Sequence, residues 1–301
     1  VSVKDNAQCI VTSTVNISEV ANPTTAAAGN DQTICEDNTA LEGNIPAVGT
    51  GTWSLVSGTG TIVNPASATS AVTGISIGTS IFRWAILNGA DCLSEDTVVV
   101  RRIDPPSTSV AGADQSICVD VVTLGATAPA IGTGSWNLVS GAGTITDASS
   151  ETTTVNGLAI GANVFQWTVN NGVCPASTDQ VTITRSAEPS LAEAGSNQTV
   201  CLSTASMGAS TLIVGTGQWT LISGTGTFED DTDPFTQITG LSLGTNVFEW
   251  TVTNGSCAAS TDQVEIVRNE LPSQATVGPD QVICATTANL TATAPVVGTG
   301  A

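Results

Sequence analysis

The chain of 301 residues contains no histidine and no tyrosine, and its only lysine is Lys4. Without histidine there is no Ser-His-Asp arrangement, no imidazole general base and no usual zinc ligand. With one lysine near the start, Schiff-base and P-loop chemistry have almost no candidate. Positive charge is equally scarce: six Lys and Arg stand against 26 Asp and Glu, for a net charge of −20. Nucleic-acid binding needs cations to neutralise phosphates, and docking on anionic lipid needs the same, so both are excluded as expectations. Charged residues of either sign make up only 11%, against about 25% in an ordinary globular chain. No apolar run approaches the ~18–20 residues of a membrane helix. No pair of carboxylates sits in a recognisable catalytic context, so the expectation is a protein that is not an enzyme. No signal peptide is visible, and the chain reads as beginning and ending within repeats.

What remains is 41% hydrophobic and rich in Thr, Ser, Val, Ile and Gly. β-branched side chains pack well on a pleated surface, so this composition suits strands. Internal repetition is strong. Ala28-Gly29-Asn30-Asp31-Gln32-Thr33-Ile34-Cys35 returns at Ala111–Cys118, Ala194–Cys201 and Val277–Cys284. Trp53, Trp136 and Trp219 recur at one fixed interval, and Trp84, Trp167 and Trp250 recur at the same interval. A second cysteine series runs Cys9, Cys92, Cys174, Cys257. The expected organisation is the C-terminal end of one unit at 1–23, complete units at 24–103, 104–187 and 188–270, and the start of another at 271–301. Short proline-bearing junctions, such as Asp104-Pro105-Pro106 and Glu188-Pro189, predict stiff linkers. The complete units contain no lysine, which excludes Lys–Asn isopeptide cross-links.

Within 104–187 the pattern predicts strands at 111–118, 121–126, 134–140, 144–145, 152–158, 163–170 and 174–185. Phe165, Trp167 and Val169 alternate with Val164, Gln166 and Thr168, so one face of that strand is buried. Trp136 and Leu138 share a face of another. Asn171-Gly172 is a hairpin signal. About seven short strands with regular turns and no helical period predict an all-β fold, a tandem array of immunoglobulin-like (PKD-like) β-sandwich domains.

The motifs AGxDQ(T/S)(I/V)C, GTGxW, SGxGT, GLxxGxNxFxWTVxNGxC and STDQVxI resemble the PKD-like/Ig-like repeats of very large surface and secreted proteins of Bacteroidota, including gliding-type adhesins. The resemblance covers the complete and partial units alike. It implies export, an extracellular or cell-surface location, attached to the outer membrane or secreted, and a structural stalk or filament segment that spaces an adhesive region from the cell. It carries no catalytic residues. The alternative function is an accessory carbohydrate-binding array of a secreted hydrolase, which would need exposed tryptophans. Expected partners are neighbouring repeats of the same chain, with identical chains in a filament and surface polysaccharide as further candidates.

Two disulfide schemes respect the repeat. One pairs within units: Cys35–Cys92, Cys118–Cys174 and Cys201–Cys257. The other crosses junctions: Cys9–Cys35, Cys92–Cys118, Cys174–Cys201 and Cys257–Cys284. First and last strands of a sandwich are neighbours, which favours the first scheme. Junction acids Asp104, Asp114, Glu188, Glu270 and Asp280 are candidate calcium ligands, since Ca²⁺ takes 6–8 oxygens. Asp96, Asp179 and Asp262 recur near the last strand. The alternative for these acids is that they are solvated or pair with Arg101, Arg102, Arg185 and Arg268 at the strand ends.

Overall fold

A computed structural model describes residues 1–300, and every regular element among them is a β-strand. A short antiparallel ribbon, β1 (Ser2–Lys4) with β2 (Ile10–Thr12), precedes unit 1. Unit 1 contains β3 (Gln32–Ile34), β4 (Thr39–Ala40), β5 (Thr50–Ser57), β6 (Thr61–Ile62), β7 (Ala71–Thr73), β8 (Gly78–Asn88) and β9 (Cys92–Arg102). Unit 2 contains β10 (Gln115–Ile117), β11 (Val121–Gly125), β12 (Thr133–Ser140), β13 (Thr144–Ile145), β14 (Thr152–Asn156), β15 (Gly161–Asn170) and β16 (Ser177–Arg185). Unit 3 contains β17 (Gln198–Val200), β18 (Thr204–Ser206), β19 (Thr216–Ser223), β20 (Thr227–Phe228), β21 (Gln237–Thr239), β22 (Gly244–Thr253) and β23 (Ser260–Arg268).

Each unit is thus a seven-stranded immunoglobulin-like sandwich. In unit 2 a four-stranded sheet β10-β16-β15-β12 faces a three-stranded sheet β11-β14-β13, and units 1 and 3 repeat this order. All pairings are antiparallel except one per unit: the first strand runs parallel to the last, with Gln115 opposite Ile183 and Ile117 opposite Arg185. That parallel pair decides the chemistry of the junctions.

The core follows the period-2 pattern. Phe165, Trp167, Val169, Val181 and Ile183 are buried, and Trp136 stands opposite Trp167 in register. Their rings lie 5.1 Å apart at 49°, the offset geometry that aromatic pairs prefer. Gly134 makes the pair possible: a Cβ there would fall 2.6 Å from Cε2 of Trp167 and closer still to two other ring carbons. Leu138 shares the face of Trp136, as expected, standing opposite the buried Phe165 in register, but it is not covered as Trp136 is. Leu138 is 38% exposed. It lies where β12 bulges, between Leu138 and Ser140, and bulges turn an edge strand away from its sheet. The first strand is also shorter than expected. Only Gln115–Ile117 pair through the backbone, because side chains hold the segment before them.

Residues 271–300 hold one isolated bridge, Val277 with Ala292. Ala301 lies outside the described residues.

Candidate functional site

The chemistry that recurs is at the junctions between units. Cys35 of unit 1 is bonded to Cys174 of unit 2, with Cα atoms 5.0 Å apart. Cys118 of unit 2 is bonded to Cys257 of unit 3, with Cα atoms 4.9 Å apart. Cys9, Cys92, Cys201 and Cys284 are free thiols. Both expected schemes are therefore corrected. Pairing Cys35 with Cys92, or Cys118 with Cys174, fails for a geometric reason. First and last strands are neighbours, as expected, but they run parallel. Cys35 and Cys118 follow the ends of their first strands, beside the ends of β9 and β16. Cys92 opens β9, whose 11 residues span about 36 Å at 3.3 Å each. A similar length of strand separates Cys174 from Cys118. The Cys201–Cys257 pair fails likewise. The junction-crossing scheme had the right location and the wrong partners. The cysteine at the far end of one unit meets the hairpin cysteine of the next.

The hairpin is what carries the second cysteine across. Asn171 Nδ2 donates to the Asp104 carbonyl at 2.7 Å, and Cys174 Sγ lies 3.4 Å from the same oxygen. Gly172, at φ 55°, sits so close to Ile103 that a Cβ would strike its Cδ1 at 2.8 Å. The next junction repeats this: Asn254 Nδ2 donates to the Ala187 carbonyl at 2.7 Å. Before unit 1, Asn88 Nδ2 donates to the Ala21 carbonyl at 2.7 Å. The Asn-Gly pair thus makes a turn and also docks it on the preceding linker. Linkers are tied on the other side as well. Ser107 N–H donates to Ile131 O, and Ile131 N–H donates back to Ser107 Oγ. Thr24, Ser190 and Ser273 donate equivalently to Val48, Val214 and Val297.

The arginines serve the same region. Arg102 donates from Nη1 to Ile75 O at 2.8 Å and from Nε to Cys35 O at 3.1 Å. Arg185 donates to Leu158 O and, at 3.5 Å, to Cys118 O. Arg268 donates to Leu241 O, while its Nε has no partner beside the unpaired Cys201. The expected pairing of strand-end arginines with acids is thus replaced by bonds to main-chain carbonyls. Among the described residues the one ion pair is Arg83 with Glu95, at 3.1 Å.

The acids are employed within units. Asp179 Oδ2 accepts from Ala111 N–H at 2.8 Å, and Ser177 Oγ from Ser109 N–H at 2.9 Å. Asp114 Oδ1 accepts from Thr182 N–H at 2.8 Å. Asp96, Asp262 and Asp31 do the same in their own units, and so does Asn197, which accepts from Glu265 N–H at 2.9 Å. These side chains substitute for missing ladder bonds between first and last strands. One accepting oxygen suffices, which explains why Asn197 serves where the others are Asp. Asp104, Asp114, Glu188, Glu270 and Asp280 are not gathered: among the described residues no group of three or more Asp, Glu, His or Cys is placed to hold a metal.

All six tryptophans are at most 3% exposed, so they form no sugar-stacking face, and the carbohydrate-binding alternative loses its required feature. Asp147 and Asp230 occupy equivalent loops. Hydrogen bonds from the hydroxyl and amide of Ser149, and from those of Thr232, hold their carboxyls below the ordinary value of 3.8.

No family model and no curated protein matches this chain. Among solved structures, it is similar to extracellular domains 3–5 of Drosophila OTK, at 12% identity and a TM-score of 0.41, covering 84% of this chain and 98% of that one. It is similar to immunoglobulin domains 1–5 of Sidekick-1, at 12% identity and a TM-score of 0.38, covering 84% and 60%. The PKD domain of human KIAA0319 matches at 25% identity and a TM-score of 0.25, over 29% of this chain and 88% of that one.

Proposed function

We propose that this chain is an extracellular spacer: a stiff stalk or filament segment of a cell-surface or secreted adhesin that holds an adhesive region away from its anchorage. The observation that carries the reading is the double linkage at each inner junction. Unit 1 is joined to unit 2, and unit 2 to unit 3, by the backbone and by a disulfide. Such bonds persist in oxidising compartments outside the cytosol. The docked Asn-Gly turn and the linker hydrogen bonds leave the interdomain angle little freedom. A net charge of −20 opposes folding back through self-repulsion. The motif resemblance to Bacteroidota repeats supports a gliding-type adhesin as the parent architecture, with identical chains in a filament as candidate partners.

Small-angle scattering on the oxidised chain tests this. Three units of about 35–40 Å each, set end to end, make a rod of about 105–120 Å with a radius of gyration near 30–35 Å, against about 19 Å for a compact chain of this length. A value near the compact figure would refute the spacer reading.

A further inference from the structure

We infer that the overlapping disulfides act as an extension limit, letting the chain lengthen under load to less than half of its contour. The inference deepens the spacer reading and rests on it for its purpose, though not for its geometry. The two bonds enclose rings from Cys35 to Cys174 and from Cys118 to Cys257. The rings overlap, because Cys118–Cys174 belongs to both. A pulled chain becomes taut along its shortest covalent route. From Cys35 that route crosses the first bond to Cys174, runs backwards along the shared segment to Cys118, and crosses the second bond to Cys257. The direct backbone between Cys35 and Cys257 is several times longer than that shared segment. Everything outside the short route stays slack, so even complete loss of folded structure releases less than half of the length that an uncross-linked chain would give. Between the two ends of the chain the taut route is about 134 residues rather than about 300. At ~3.5 Å per residue this is about 470 Å rather than about 1,050 Å.

The overlap also makes the two bonds non-additive. Either bond alone removes about 139 residues from the route, leaving about 161. Breaking one therefore lengthens the taut chain by only about 27 residues, and breaking both lengthens it by about 166 residues. A chain cross-linked within units behaves differently. Its total would be similar, but each broken bond would independently release the whole segment it had enclosed.

The test is single-molecule stretching of the full chain, tethered at its two ends, with free thiols alkylated beforehand without reductant. The oxidised chain should reach a final contour of about 470 Å, Cys118→Ser about 560 Å, and the reduced chain about 1,050 Å. Cys35→Ser should match Cys118→Ser, and because these are lengths of stretched chain, they require only that the remaining bond has formed, which non-reducing peptide mapping of each variant establishes. A full-length contour for the oxidised chain would overturn the inference, as would a gain of about 200 Å on breaking one bond. A compact particle in scattering would sink the spacer reading and leave these lengths unchanged. Equal oxidised and reduced contours would sink the extension limit whatever the particle's shape.

Discussion

Placing a methyl group on Gly134 tests the packing argument at its tightest point. The glycine has an ordinary backbone conformation, so the objection to alanine there is space alone. A Cβ would overlap carbons of the buried Trp167 ring. Overpacking of this kind costs about 1–3 kcal/mol. Trp167→Ala removes a ring that is 1% exposed and should cost about 3–5 kcal/mol. The informative measurement is the double variant. Once the ring is gone, the methyl occupies empty space, and alanine in a strand is favoured over glycine by about 0.5–1 kcal/mol. Gly134→Ala should therefore change sign, from destabilising in the natural chain to stabilising beside Trp167→Ala, a coupling of about 1.5–4 kcal/mol. Three linked units need not unfold in one step, so the readout should be local. Amide hydrogen exchange over Thr133–Ser140 and Gly161–Asn170 reports on unit 2. The untouched Gly51–Trp84 and Gly217–Trp250 pairs serve as internal references. If Gly134→Ala is equally damaging with and without the ring, the glycine is not there for Trp167, and the packing account is wrong.

Asp114→Asn should leave protection of the Thr182 amide within about 0.5 kcal/mol of the natural value, whereas Asp114→Ala should lower it by about 1 kcal/mol; a large loss in the Asn variant would mean that the charge matters. Ser210→Asn should stabilise unit 3 by about 1 kcal/mol. The equivalent Asn44 accepts from Trp84 Nε1 at 3.2 Å, while Ser210 Oγ and Trp250 Nε1 are buried without partners; an unchanged melting transition of unit 3 would contradict this. Carbon NMR titration should find Asp147 and Asp230 below 3.8, moving back towards it in Ser149→Ala and Thr232→Ala. Because the folded values are depressed, the loops are most secure above the ordinary carboxylate value and loosen as pH falls through the lowered one. Unit 1 has Asn64 at this position and should show no such titration.

Much of the sandwich was legible from residue order. Alternation over Val164–Asn170 located the buried face, the recurring Trp fixed the repeat, and Asn171-Gly172 marked its hairpin. The junction was harder to read for identifiable reasons. Nothing in so short a first strand announces whether it runs parallel or antiparallel to a strand at the far end of the same unit, yet that choice sends Cys118 to one end of the unit or the other. The acids were misleading because an Asp that accepts from a backbone amide has the same sequence signature as one that binds a cation. Asn197 was the available clue: a neutral amide in place of Asp suits a hydrogen-bond acceptor better than a calcium ligand. The second duty of Asn171, holding the linker carbonyl of Asp104, had no local signal, since its partner lies 67 residues away.

The overlapping rings also bear on survival outside a cell, where proteases are abundant and repair is absent. A backbone cut anywhere between Cys35 and Cys257 falls inside at least one ring. The two fragments stay joined by a sulfur bridge, whether the cut is in a linker such as Pro105-Pro106 or in a surface loop. Severing the chain between these cysteines takes three cuts, one in each of 35–118, 118–174 and 174–257. In the segment Cys118–Cys174, which both rings share, a cut leaves both bridges still spanning it. The middle unit is thus the most damage-tolerant part of the described chain, although its own fold is no more heavily cross-linked internally than its neighbours.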